Sequence, residues 1–113
     1  MKTDLQVSNI PKFLNEILIL SVLKESPKHG YQLSLEVEEK SNSFFLFKHG
    51  TLYPILHKLE KEGYIKGVWQ SEESKRKRKY YTISAKGRNY LQDVVQDLRE
   101  FNSILENIIG ENL

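Results

Sequence analysis

The chain has 113 residues, 39% of them hydrophobic and 28% charged, and no cysteine. A chain of this length buries one modest core, and the absence of cysteine excludes disulfides, thiolate zinc sites and cysteine nucleophiles. No apolar run exceeds four residues, far short of the roughly 18 that a membrane span needs. The N-terminus carries Lys2 and Asp4 without an apolar stretch leading to a cleavage site. No secretion signal is therefore expected, and a cytoplasmic protein is.

The net charge of +2 hides an asymmetry. Residues 1–70 carry nine basic and eight acidic groups, residues 71–90 seven and two, and residues 91–113 one and five. A local excess of cations marks a patch that meets an anion, and the acidic tail points elsewhere.

In chain order, residues 11–25 read as a helix whose apolar positions, Phe13, Leu14, Ile17, Leu18, Leu20 and Leu23, are too many for one face. It should be buried on most sides and end at Ser26-Pro27, because the residue before proline avoids the helical region. The next segment, from His29-Gly30 to Lys40, is ambiguous. Tyr31, Leu33, Leu35 and Val37 alternate like a strand, yet Leu33 and Val37 also share a helix face. After a turn at Ser41-Asn42-Ser43, residues 44–47 form an apolar run that suits a small strand. A third helix starts at Gly50-Thr51, with Leu52, Ile55, Leu56 and Leu59 as its buried stripe, Pro54 in its first turn and Gly63 as its left-handed cap.

Residues 64–70 and 79–84 are rich in β-branched and aromatic side chains and flank a polar turn, the pattern of a hairpin. The last helix runs over residues 85–109. Three helices, a two-stranded wing and a long C-terminal helix make a mostly helical α+β chain of winged helix-turn-helix architecture. Its third helix is the one that enters a DNA major groove. Residues 1–84 are expected to form the DNA-binding domain. Residues 85–113 are expected to supply a dimerisation helix that packs with helix one.

Lys75-Arg76-Lys77-Arg78-Lys79 places five consecutive cations at the expected hairpin tip, where they would displace counterions from a phosphate backbone. The exposed face of the third helix offers Thr51, Tyr53, His57, Lys58 and Lys61 to phosphates and base edges, while Glu60 and Glu62 confine the groove-facing part to its N-terminal half. Tyr80 and Tyr81 point to opposite faces of a strand, one into the core and one toward a phosphate; alternation does not say which. In the last helix Leu91, Leu98 and Leu105 are seven apart, as are Val94, Phe101 and Ile108 three residues later, which makes an a/d seam. A helix of about 37 Å exceeds what so small a domain can cover, and a second copy is the simplest partner. Of enzyme motifs there is no G-x-S-x-G, P-loop or G-x-G-x-x-G, and His29, His49 and His57 lack zinc spacing. No cofactor or metal is expected. A winged-helix module binding another protein is the rival reading, and the lysine-rich tip argues against it.

Four blocks resemble the PadR family of repressors: His29-Gly30-Tyr31-Gln32-Leu33; Gly50-Thr51-Leu52-Tyr53-Pro54-Ile55-Leu56; Leu59-Glu60-x-x-Gly63-Tyr64-Ile65; and Arg78-Lys79-Tyr80-Tyr81-x-Ile83-Ser84. The resemblance spans about residues 12–91 and is most specific in the G-T-L-Y-P block. It implies that the ambiguous second segment is a helix, that Thr51, Tyr53 and Lys58 face DNA, and that Arg78 and Lys79 are the family's basic wing residues. The DNA-binding set it completes is His29, Tyr31, Thr51, Tyr53, His57, Lys58, Lys75, Arg76, Lys77, Arg78, Lys79 and Tyr80. The single C-terminal helix resembles the compact subfamily, which dimerises through that helix and the first. This assigns the interface to Leu14, Ile17, Leu91, Val94, Leu98, Phe101, Leu105 and Ile108. Some members of that subfamily bind flat hydrophobic drugs at the dimer centre with a tryptophan of the last helix. Here the one tryptophan, Trp69, lies on the first wing strand instead. A cleft lined by Phe13, Ile17, Phe101 and Leu105 is the corresponding place for a small aromatic or hydrophobic effector. Double-stranded DNA and a second copy of the chain are the expected partners.

Overall fold

Helix α1 (Lys12–Leu23) is buried round most of its circumference, as its apolar content demands. Ile19 and Leu20 have no exposed surface, Val22 and Leu23 have almost none, and even Asn15 and Glu16 are buried. The structure is a computed structural model and describes residues 12–71 and 76–110. Around α1 are set β1 (Lys28–His29), α2 (Gly30–Lys40), α3 (His49–Lys61), β2 (Ile65–Ser71), β3 (Lys77–Ile83) and α4 (Ala85–Ile109). Leu33 and Val37 of α2, Leu52, Leu56 and Leu59 of α3, Ile65, Tyr81 and Ile83 of the sheet, and Leu91 and Val94 of α4 complete one core. Among the described residues no helix is long and apolar enough to cross a membrane.

The ambiguous second segment is a helix because its start is locked from both sides. The His29 ring accepts the Gln32 N–H through Nδ1 at 3.3 Å, and the Gln32 side chain accepts the His29 N–H at 3.2 Å. This reciprocal capping box satisfies two donors that a helix start otherwise leaves without partners. Leu33 and Val37 then face the core, while Tyr31 and Leu35 are left half-exposed.

The strand expected at residues 44–47 does not form. Asn42 and Ser43 turn the chain at positive φ, and the Ser41 hydroxyl accepts the Phe45 N–H. Phe44 and Phe45 stack edge to face, and Phe45 and Phe47 pack on the core. The apolarity of the run goes into packing rather than into pairing. The third strand is instead β1, a two-residue segment before α2 that had no sequence signal. It pairs antiparallel with β3, Lys28 opposite Tyr81 and His29 opposite Tyr80, so the sheet order is β1-β3-β2 and the wing is anchored at its base by a third strand.

Helix α3 starts at His49, earlier than expected, and this moves Pro54 from the first turn into the second. The carbonyl four residues back belongs to the exposed Gly50, so the missing N–H leaves an acceptor in solvent rather than in the core. At the other end the Tyr64 N–H reaches the Leu59 carbonyl and the Gly63 N–H the Glu60 carbonyl, with Gly63 at φ +84°. These are the two bonds of a Schellman motif. The start of α4 is tied to this turn. The Ser84 hydroxyl accepts the Gly87 N–H and lies 2.7 Å from the Gly63 carbonyl. A Cβ on Gly87 would collide with the Tyr64 carbonyl oxygen, so glycine is what lets the helix approach this closely.

One polar contact crosses the α1–α4 junction. The Tyr90 hydroxyl donates to Glu16 Oε1 at 3.1 Å, and the Tyr90 ring stacks on Tyr64 with centroids 4.1 Å apart. Burial pushes the Glu16 carboxyl above its ordinary value, against the opposing pull of the Tyr90 bond. Burial also pushes the Tyr90 phenol up to about 12, so it stays a donor at neutral pH. A carboxyl whose pKa is raised on folding supports stability fully below its unfolded value near 4.5 and less as pH rises through the folded value. Glu16→Gln keeps an acceptor for Tyr90 and removes the buried charge. Urea unfolding across pH 4 to 8 should therefore show a flatter stability profile in this variant, with no loss at neutral pH. Tyr90→Phe strips the carboxylate of its donor and should cost about 1–3 kcal/mol at pH 7.

Candidate nucleic-acid interface

The N-terminus of α3 is open. Its N-cap, Lys48, makes no side-chain cap bond, although its carbonyl accepts the Thr51 and Leu52 N–H groups, so the partial positive charge of the helix start is not offset by a capping side chain. One turn on, Tyr53 is half-exposed and stacks on His49 with centroids 5.7 Å apart and planes 14° from parallel. The Tyr53 ring lies across Gly30 at the start of α2: a Cβ there would come within 2.9 Å of the phenol oxygen. Any larger residue at Gly30 would push Tyr53 away. His57 and Lys58 are exposed on the same helix, and Thr51 is half-buried. Lys58 pairs loosely with Glu62 at 3.9 Å, an exposed contact worth little.

The basic run is divided by the sheet rather than gathered at a tip. Lys77, Arg78 and Lys79 belong to β3, Arg76 immediately precedes it, and Lys75 lies outside the described residues. Strand alternation sends successive side chains to opposite faces. Tyr81 and Ile83 face the core, so Lys79 on that face turns inward, where its Nζ meets Glu60 of α3 at 2.7 Å. Arg78 shares the opposite face with Tyr80. Its Nη1 lies 3.0 Å from Nε2 of His29, and the Tyr80 ring meets His29 edge-on at 5.3 Å. This settles the tyrosine pair: Tyr81 is the core residue and Tyr80 the half-exposed one. Arg76 and Lys77 are exposed.

Helix α3 and the wing thus form the two walls of a cleft of about 660 Å³, lined among others by Tyr31, Tyr53, His57, Trp69, Arg76 and Lys77. Most of the expected DNA-binding residues are brought together here, and Thr51 and Lys58 flank the cleft on α3. His29 is a different case. It is 7% exposed, and its ring is engaged in capping α2 and in contacts with Arg78 and Tyr80. Trp69, on the first wing strand, is 64% exposed at the cleft. His49, Glu60 and Gly67 were not singled out as site residues. For Glu60 and Gly67 the signal lies only in what they touch across the fold, whereas His49 meets Tyr53 at i, i+4 on its own helix, a spacing that is visible in the sequence. Among the described residues no group of histidines and carboxylates could hold a metal ion.

The a/d seam of α4 is split. Leu91 and Val94 are buried in the chain's own core against the first helix, so they are unavailable to a partner. Leu98 is half-buried, and beyond it Phe101, Ile104, Leu105, Ile108 and Ile109 are all exposed, Ile108 to 77%. Leu14 and Ile17 on α1 are half-buried, and Phe13 meets Phe101 edge-on at 6.3 Å within one chain. Among the described residues, the C-terminal half of the seam and the adjoining edge of α1 thus form an exposed apolar surface.

A family profile, described as the transcriptional regulator PadR-like family, matches residues 19–93. An uncharacterised protein of Lysinibacillus sphaericus is 33% identical over 89 residues, which cover 79% of this chain and 82% of that protein. The negative transcriptional regulator PadR of Bacillus subtilis is 32% identical over 75 residues, 66% of this chain but 41% of that longer protein. Among solved structures, a transcriptional regulator from Clostridium thermocellum superposes with a TM-score of 0.81 at 29% identity, covering 88% of this chain and 96% of that one.

The two roles open to His29 separate cleanly by experiment. If its ring acts as the cap, His29→Ala should cost about 0.5–2 kcal/mol in urea unfolding, and His29→Asn, which supplies another good cap, should recover most of it. A variant of unchanged stability that binds DNA less well would put the ring on the nucleic acid instead.

Proposed function

The chain belongs to the PadR-like family of transcriptional regulators, and on that premise we propose that it is a repressor that binds a near-palindromic operator as a homodimer. The observation that carries the reading is the cleft. The start of α3, which has no side-chain cap, faces Arg76 and Lys77 of the wing through His49, Tyr53 and His57 across one concave surface. A duplex needs both features. The helix enters the major groove and presents Thr51, Tyr53 and Lys58 to base edges, while the wing cations and the helix N-terminus hold phosphates. The B. subtilis relative is a negative regulator, which favours repression over activation.

Residues 1–84 act in this scheme as the DNA-binding unit. Residues 85–113, with α1, supply the contact between copies. The exposed stripe from Phe101 to Ile109, continued by the half-buried Leu98, supports a second copy as the partner, since an apolar face of that length is seldom left to water. A two-fold dimer would set two α3 helices into successive major grooves about 10 base pairs apart. Phe13, Ile17, Phe101 and Leu105 lie where the copies would meet, and a hydrophobic effector bound among them would respace the two helices and release the operator. Enzyme chemistry has no part in this reading.

Replacing Lys75, Arg76 and Lys77 with serine should weaken binding about equally on operator and on random-sequence DNA. It should also flatten the salt dependence by up to about 0.9 for each phosphate that is no longer neutralised. An unchanged slope would take the wing off the DNA.

Leu98→Glu should give a monomer in sedimentation and abolish operator binding, because an unpaired carboxylate buried at the interface costs several kcal/mol. A stable Leu98→Glu dimer would move the interface elsewhere.

A further inference from the structure

Glu60 sits near the end of α3 and faces the wing with both carboxylate oxygens. Oε1 accepts from Lys79 Nζ at 2.7 Å, and Oε2 accepts the Gly67 N–H at 3.2 Å. One side chain of the recognition helix thereby holds both wing strands, β3 through a lysine and β2 through its backbone. The contact is partly shielded, with the Glu60 and Lys79 side chains 28% and 27% exposed. The Lys79 hydrogen bond holds the Glu60 carboxyl below the usual range, and the same bond raises the Lys79 ammonium. Gly67 makes the arrangement possible. A Cβ there would collide with the Lys79 stem and lie 2.9 Å from Glu60 Oε2, so the lysine crosses the strand only because the position is glycine. The Lys79 ammonium also lies 5.5 Å over the Tyr81 ring. Its neighbours Arg76 and Lys77, by contrast, are exposed.

On the reading that this cleft meets DNA, we infer that Glu60 is a positioning residue that latches the wing to the recognition helix and withholds Lys79 from the phosphate backbone. Each additional phosphate contact strengthens binding to every sequence alike, because the gain comes from released counterions. Discrimination comes from base-edge contacts made in a fixed register. A lysine held on Glu60 adds nothing to nonspecific attraction, and the wing it anchors keeps a constant distance from α3. The latch therefore favours a high ratio of specific to nonspecific affinity over raw affinity.

The test uses the full-length chain, a random-sequence duplex, and an operator recovered by selection from a random DNA pool. Glu60→Gln should free Lys79 and steepen the salt slope on the random duplex by up to about 0.9, or about 8-fold in affinity at 0.1 M salt relative to 1 M. Operator affinity should rise less, so the specificity ratio falls. Gly67→Ala should do the same by displacing the Lys79 stem, although it changes no charge. The double variant Glu60→Gln with Lys79→Gln should return the slope to that of the wild type. Trp69, the only tryptophan, sits opposite Lys79 in the wing, and its quenching by acrylamide should change in both single variants even without DNA. Unchanged slope and quenching in both variants would overturn the inference. So would a response to Glu60→Gln with Gly67→Ala silent, since that is the signature of charge alone. If one single variant fails to fold, the other decides by the same two readouts. A wild-type chain without salt-dependent DNA binding would overturn the repressor reading itself, whereas the quenching result bears on the latch alone.

Discussion

Helix α1 is buried on nearly every side, and the other elements are arranged to cover it. The helix packs against α2, α3, β3 and α4, and its residues Ile19, Leu20 and Leu23 are almost wholly removed from water. Each such side chain contributes roughly 1.5–3 kcal/mol of burial. A chain large enough for only a single core gathers its other elements around this axis. The arrangement has a cost, because Asn15 and Glu16 are carried into the interior with the apolar residues. Glu16 finds Tyr90, while the Asn15 side-chain oxygen has no hydrogen-bond partner among the described residues. That α4 supplies the partner for Glu16 makes the last helix part of the same core in its first half.

The amphipathic stripe of α4 consequently serves two bodies. Its first turns are consumed by α1, and among the described residues its last turns stand largely exposed: Phe101 meets Phe13 yet is half-exposed, and Ile104, Ile108 and Ile109 are more than half exposed. A heptad pattern alone treats all its positions alike. The length of the domain decides which of them meet their own chain and which are left over. The same continuity links the proposed interface between copies to the helix-to-wing cleft, since Ser84 and Gly87 pin the start of α4 to the turn that ends α3. A displacement of one α4 against its partner would reach the recognition helix through that pin rather than through a flexible linker.

The wing shows a comparable division of labour among charges. Five successive cations look equivalent in sequence, yet β-strand alternation sends Lys79 to Glu60 and Arg78 to His29 while Lys77 stays exposed. Part of the basic run thus fastens the wing, and part remains to meet an anion. The third strand works the same way. Lys28 and His29 pair with Tyr81 and Tyr80, so the base of the wing and the start of α2 move as one piece.

Helices α1, α3 and α4, the hairpin and the family are legible in local signals, whereas the second segment reads as a helix only through the family resemblance. Those signals are the stripe at Leu52, Leu56 and Leu59, the Gly63 cap, the β-branched and aromatic residues either side of a polar turn, and the G-T-L-Y-P block. The sequence also placed Tyr53, His57, Lys58 and the basic run on the elements that bring most of them together at one cleft. Tertiary structure alone decided the rest. Residues 44–47 are as apolar as a strand, but the Ser41 hydroxyl takes the Phe45 N–H and the Phe45 and Phe47 rings pack on the core instead. Residues 28–29 have no strand signature but lie beside β3, and pairing follows from proximity. His29 became a cap and Glu60 a latch because their partners, Gln32 and Arg78 for one and Lys79 and Gly67 for the other, acquire meaning only through geometry. Periodicity reports which side of an element is apolar, but which neighbour that side meets depends on how all the elements share a single core.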